Sequence, residues 1–298
     1  MKHTSKDWLV ATRFWSFPIS AMPVIVTVSF LLWKGCDVKW LCAALAIVGN
    51  VIFHAAGNVL SDWWDYKKGV DNEKAYAIPQ LVFKQFSPRE YLLFSGSLFA
   101  VAICIGLALV FLSGWQLLVI GGLGALLAAN YSFFKFRALG DIFVFICFGI
   151  LPVIGTSFVT TGTIEWTALV VSIPLGIFTV GVLHDNNTVD LATDKEAGIR
   201  TIPMLLGEKA SVKLFIAYMI IPFLAIIASC FTGYLPPLSA ICLLATPVAA
   251  GNIKAASGYF VRGREAMMGL DQKTAQLHMI FSILLAIGLF ATSFISYV

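Results

Sequence analysis

The sequence predicts an all-α integral membrane protein of nine transmembrane helices, and three observations carry that prediction. The chain of 298 residues is 59% hydrophobic and only 12% charged, where soluble domains carry about 25% charged residues. Nine apolar runs have the length of roughly 20 residues that crosses a bilayer core. The basic residues, finally, segregate to one side of those runs.

The expected spans are 14–33, 40–61, 91–112, 115–134, 141–161, 167–187, 212–232, 236–256 and 277–297. The polar start, Met1 to Trp8, has no small-residue cleavage site after the first run, so that run reads as a retained helix rather than a signal peptide. Trp8, Leu9, Phe14, Trp15 and Phe17, with Lys6 and Arg13, read as an interfacial lead-in to it. Pro18, Pro23, Pro152 and Pro174 fall inside spans, where membrane helices tolerate proline. Gly121-Gly122-Leu123-Gly124-Ala125 resembles a nucleotide loop, but it lies within an apolar run with no strand before it. Close helix packing is the better reading.

Connections 34–39, 113–115, 162–166 and 233–235 are short and nearly uncharged, whereas 62–90, 134–140, 188–211 and 257–276 are longer and polar. With nine spans, Lys34 and Lys39 are the only two of the 20 Lys and Arg on the short-loop side. The positive-inside rule then makes the N-terminus and the long loops cytoplasmic, in the cytoplasmic (inner) membrane. The whole chain, 1–298, reads as one membrane-embedded domain. Six cysteines stand singly in apolar stretches and the four histidines do not cluster, so neither a disulfide framework nor a thiolate or histidine metal site is expected.

Two acidic clusters interrupt this apolar pattern. Asn58, Asp62 and Asp65 stand at i, i+4 and i+7 at the end of the second span. Asn187, Asp190 and Asp194 stand at i, i+3 and i+7 at the end of the sixth, with Asn186 beside them. On helices each set shares one face. A carboxylate at a membrane helix centre costs about 2.5–3.5 kcal/mol on insertion scales, and such residues usually mark function. Both clusters lead into basic loops: Lys67 and Lys68 (then Asp71) after the first, Lys195 and Arg200 after the second. Singly, Asp71, Glu73, Glu196 and Glu208 read as surface carboxylates near lysines. Two matched clusters point instead to divalent cations gripping a polyanion.

Carboxylate and amide oxygens suit Mg²⁺, which is commonly held by one or two carboxylates plus substrate phosphates. Nearby Lys and Arg neutralise what charge remains. No Ser-His or Cys-His pairing is evident to supply a nucleophile. The expected chemistry is therefore ionisation of a substrate with a diphosphate leaving group, a polyprenyl diphosphate being the natural one in a membrane.

These residues resemble the UbiA superfamily of intramembrane aromatic prenyltransferases, with its nine-helix bundle, cytoplasm-facing active site and two aspartate-rich motifs. The likeness runs from about Trp8 to the last helix. Asn58-x3-Asp62-x2-Asp65-x-Lys67-Lys68-Gly69-x-Asp71 and Asn186-Asn187-x2-Asp190-x3-Asp194-x3-Gly198-x-Arg200-Thr201 look like the menaquinone branch, 1,4-dihydroxy-2-naphthoate polyprenyltransferases. Leu139-Gly140-Asp141, Phe148-Gly149 and Gly155-Thr156 are similar to that branch as well.

The resemblance implies Mg²⁺ on Asp62, Asp65, Asp190 and Asp194, with Asn58, Asn186 and Asn187 completing or orienting the shell. It implies diphosphate contacts from Arg13, Lys67, Lys135, Lys195 and Arg200, and an allylic cation steadied by Tyr131. Tyr131 and Asn130 also fit the simpler role of interfacial anchors. The cation would attack the naphthoate ring, which loses CO₂. Expected partners are the two substrates and the lipid bilayer, with no nucleic acid and no obligate protein partner. Two departures stand out: residues 72–86 lack the usual Arg, leaving Lys84 as substitute, and the second motif opens with Asn186 rather than Asp.

Other readings stay open on the residues alone. Another aromatic acceptor, such as 4-hydroxybenzoate, keeps the same chemistry. A cation-coupled transporter would use the acidic clusters as ion sites, although transporters place these near the midplane on broken helices. A phosphatidyl-group transferase would need D-G and A-R elements that this chain lacks.

Overall fold

A computed structural model describes residues 3–69, 80–130, 134, 137–196 and 198–295. Among them the regular structure is entirely helical. Helix α1 is Ser5–Ala11, α2 Phe17–Trp33, α3 Trp40–Lys67, α4 Pro88–Ser113 and α5 Leu117–Ala129. Helix α6 spans Gly140–Thr161, and α7 spans Leu169–Val189. Two short helices follow, α8 (Leu191–Glu196) and α9 (Ile202–Leu206), then α10 (Glu208–Phe231). A tight 3₁₀ stretch, Pro237–Ala245, leads into α11 (Thr246–Ser257), and α12 is Leu270–Ile295.

Eight helical segments among the described residues are long and apolar enough to cross a membrane. The expected fourth span, 115–134, is the exception. Its helix α5 has 13 residues, about 20 Å at 1.5 Å per residue, against a hydrocarbon core of about 30 Å. Elsewhere the helices overrun the expected ends. Helix α3 continues past 61 to Lys67, and α12 begins at Leu270 rather than 277. Hydropathy marks where lipid ends, but the backbone goes on satisfying its own hydrogen bonds beyond that point.

Local signals set the boundaries. Thr4 and Asp7 form a reciprocal capping box at the start of α1, as Ser87 and Glu90 do at α4, where Pro88 opens the helix. The largest core cluster joins Phe30 of α2, Phe178 of α7, Phe215 and Met219 of α10, and Phe281 of α12. The Phe178 and Phe281 rings meet edge to face at 5.1 Å. A second cluster docks the N-terminal segment beside the first motif. There Trp8 lies between Phe86 (4.6 Å) and Phe94 (4.5 Å), against Val59 of α3. Trp8 is thus part of a packed core, while Leu9, Phe14 and Trp15 keep the exposure expected of an interfacial lead-in.

Within α6, Phe145–Ile150 winds as a π-helical turn. It packs on α7 at Gly149, where an added Cβ would lie 3.0 Å from Gly176 Cα and 3.1 Å from the Ser172 carbonyl. Glycine permits this backbone-to-backbone approach.

Candidate active site

The first motif lies wholly within the last turns of α3, on the shared face expected from its spacing. Asn58, Asp62 and Asp65 are all half-buried. A bend in the N-terminal segment meets them. Arg13 adopts a left-handed conformation (φ 54°) between α1 and α2, costly for a residue with a side chain. Its carbonyl accepts from the Ser16 backbone N–H and hydroxyl, both at 2.8 Å, which holds the bend. The bend directs its guanidinium onto Asp62, Nη2 donating to Oδ1. Asn58 Nδ2 donates to the Thr12 carbonyl (3.0 Å) and to Ser16 Oγ (3.3 Å).

The ladder continues deeper than the motif. Asn50 Nδ2 donates to the Ser20 carbonyl at 2.6 Å, and His54 Nδ1 lies 3.1 Å from Ser20 Oγ. Asn50, His54, Asn58 and Asp62 therefore form a polar stripe at every fourth residue, tied along its length to Thr12–Ser20. Sequence reasoning stopped at Asn58. Extending the same i+4 spacing upstream finds the other two.

The second motif departs from the single helix its spacing suggests. Helix α7 ends at Val189, Asp190 is its cap (φ −90°, ψ 15°), and Asp194 belongs to α8. The turn spacing nevertheless carries across the break: Asp190 N donates to the Asn186 carbonyl (2.9 Å) and Asp194 N to the Asp190 carbonyl (2.8 Å). Asn186 is half-buried, while Asn187 and Asp194 are buried. Arg264, from the segment before α12, lies 3.6 Å from Asp190. Only its place in a basic loop hinted at that role.

A buried polar cluster clamps α7 just before the motif. His184 is fully buried, with Nδ1 3.4 Å from Asp141 Oδ2 of α6 and Nε2 2.9 Å from Ser211 Oγ of α10. Thr188 Oγ1 lies 2.6 Å from the same Ser211 hydroxyl. A cavity of about 10 Å³, lined by Asp141, Asn187 and Thr201 among others, adjoins it.

The proposed basic contacts are scattered. Arg200 lines a cavity of about 450 Å³ with Arg137, Ala138 and Leu205. Ala138, also left-handed at φ 58°, donates its N–H to the Arg200 carbonyl at 2.8 Å and so ties the two loops together. Lys67 lies over the Trp63 ring (5.1 Å), Lys195 is exposed, and Lys84 is exposed on the turn before α4. Tyr131, Lys135 and Asp71 lie outside the described residues.

Apolar helices of membrane-spanning length, with two Asp/Asn motifs at helix ends each met by an arginine, mark an integral membrane protein with polar, charged helix ends. Residues 21–263 match the UbiA prenyltransferase family. The chain belongs to that family and is a prenyl-transferring enzyme. It is 30% identical over 294 residues to UbiA prenyltransferase domain-containing protein 1 of Homo sapiens, covering 95% of this chain and 83% of that protein. The protein of the same name from Xenopus tropicalis is 30% identical over 239 residues, covering 78% of this chain and 69% of that one. Of solved structures, an apo UbiA homologue from Aeropyrum pernix superposes with TM-score 0.69 at 18% identity, covering 92% of this chain and 97% of that one. A UbiA homologue from Archaeoglobus fulgidus bound to GPP and Mg²⁺ gives 0.54 at 13% identity, covering 93% and 99%. At such identities the structural likeness speaks for the fold.

Proposed function

We propose that this chain transfers a polyprenyl group from polyprenyl diphosphate to 1,4-dihydroxy-2-naphthoate, with loss of diphosphate and CO₂, in menaquinone biosynthesis. The observation that carries the diphosphate site is the pairing of each motif with an arginine from a distant segment, Arg13 on Asp62 and Arg264 on Asp190. Carboxylates and guanidiniums set side by side suit a ligand that is itself highly anionic and brings cations with it.

The donor set fits Mg²⁺. Among the described residues no three carboxylate, His or Cys groups close into a cage. Mg²⁺ characteristically takes one or two carboxylates and completes its shell with phosphate oxygens and water. Asp62 and Asp65 would hold one ion, and Asp190 and Asp194, with Asn186, another. When bound, the metal neutralises charge on the leaving diphosphate.

The chain's own groups do the rest. Arg13, Lys67, Lys195, Arg200 and Arg264 offset the remaining negative charge, with Lys135 assigned the same task. Asn58, fixed by Thr12 and Ser16, and Asn187 orient the head group. Tyr131 steadies the allylic cation. The motif loops face the cytoplasm, in line with the basic residues. The A. fulgidus homologue, solved with GPP and Mg²⁺, offers a parallel for a prenyl diphosphate held with that ion. The naphthoate assignment rests on the Lys68-Gly69-x-Asp71 and Asn186-Asn187-x2-Asp190 patterns.

An acceptor panel tests it. Purified protein in Mg²⁺ with a polyprenyl diphosphate should prenylate 1,4-dihydroxy-2-naphthoate and release CO₂ stoichiometrically. Prenylation of 4-hydroxybenzoate alone would overturn the acceptor assignment while leaving the diphosphate chemistry in place.

A further inference from the structure

The stripe on α3 carries a histidine, His54, with one of its two ring nitrogens engaged among the described residues. The Ser20 hydroxyl donates to the Phe17 carbonyl at 3.0 Å. Its oxygen is therefore left to accept from His54 Nδ1, 3.1 Å away. A neutral imidazole so fixed carries its proton on Nδ1 and presents a bare lone pair at Nε2. That nitrogen has no hydrogen-bond partner among the described residues. It is also not sealed in protein, unlike both ring nitrogens of His278 in the core. His54 is half-buried, one turn and about 6 Å deeper than Asn58.

Its surroundings are aromatic. The Phe148 ring, carried by the π-helical turn of α6, stands edge to face with the imidazole at 4.8 Å, and Phe17 lies at 6.5 Å. Both phenylalanines are half-buried. A group brought against Nε2 would have to be largely apolar and flat, yet donate one hydrogen bond, since an unmatched lone pair in an apolar site is costly. A polyprenyl tail has no donor. A hydroxylated arene has both features.

We propose that His54 Nε2 accepts a hydrogen bond from a ring hydroxyl of the aromatic acceptor, with Phe17 and Phe148 flanking its ring. The proposal rests on the aromatic prenyl transfer proposed above. Accepting that bond orients the acceptor beneath the first motif and raises electron density in its ring at the carbon to be alkylated. His54 is thus an acceptor-recognition residue, distinct from the groups assigned to the diphosphate.

The test uses full-length protein in proteoliposomes, 1,4-dihydroxy-2-naphthoate and its monomethyl ethers as acceptors, and separate KM values for acceptor and prenyl diphosphate. His54→Phe keeps a flat ring but no nitrogen. It should raise the KM of the dihydroxy acceptor about 10–100-fold and abolish the wild type's preference for a free hydroxyl, with the prenyl diphosphate KM within about twofold. Ser20→Ala keeps both ring nitrogens but no longer fixes the proton on Nδ1, so it should weaken the preference without abolishing it. A His54→Phe enzyme that still prefers the free hydroxyl overturns the proposal, because water then serves Nε2. So does loss of prenyl diphosphate affinity alongside, which would make His54 structural. Failure of the wild type to prenylate any aromatic acceptor overturns the functional reading itself.

Discussion

Arg13 and Asp62, 49 residues apart in sequence, meet as an ion pair at the mouth of the first motif. Arg13 makes this contact from a backbone bend in which it is itself left-handed, at φ 54°. Solvent screens part of this attraction, the arginine being 37% exposed, but the direct contact makes it the tighter of the two arginine–motif pairs. Arg13→Gln should raise the KM for prenyl diphosphate about 10–100-fold while leaving acceptor KM near wild type. Steady-state kinetics with each substrate varied in turn checks this.

Arg264 plays the corresponding part for Asp190 at a longer 3.6 Å, its side chain about as exposed as that of Arg13 (40% against 37%). Solvent screens the more distant pair more, so Arg264→Gln should weaken prenyl diphosphate binding less, by about three- to tenfold. Its effect should also grow as ionic strength falls. A salt series on the wild type and variant measures both.

His184 supports the second motif from within the membrane by bridging Asp141 and Ser211. His184→Phe would leave both groups buried without that partner, at about 2–4 kcal/mol. The expected result is a clearly lower thermal midpoint in detergent, with residual activity at low temperature. A variant as stable as wild type would mean that the clamp is dispensable.

Gly149 sits where α6 and α7 touch backbone to backbone, next to Phe148. Gly149→Ala must push the helices apart or strain the π-helical turn, costing about 1–3 kcal/mol. Thermal denaturation reads the loss directly. Gly57, with open space around it, serves as the control, since Gly57→Ala meets nothing within 4 Å.

Much of the fold was legible because lipid imposes one rule: apolar runs of sufficient length become helices. The first motif was legible for a similar reason, its i, i+4, i+7 spacing holding on a continuous helix. The break at Asp190 was hidden because no proline or glycine marks it and the motif's spacing suits an unbroken helix. Helix α5 is followed over 13 residues, and part of the expected span after it lies outside the described residues. Arg264 and Arg137 could not be assigned from the chain alone, since their neighbours at the site are distant in sequence. Asn50 and His54 passed unnoticed because they stand alone in an apolar run, and only the Ser20 contacts give them meaning.

In the proposed mechanism both motifs act together on one metal-bound diphosphate. The most direct measurement is the affinity of an unreactive prenyl thiolodiphosphate for wild type, Asp62→Asn and Asp190→Asn, in Mg²⁺ and in EDTA. Binding by the wild type should require Mg²⁺ and fall by roughly 100-fold in each variant. Wild-type affinity in either variant, or binding indifferent to Mg²⁺, would contradict that mechanism.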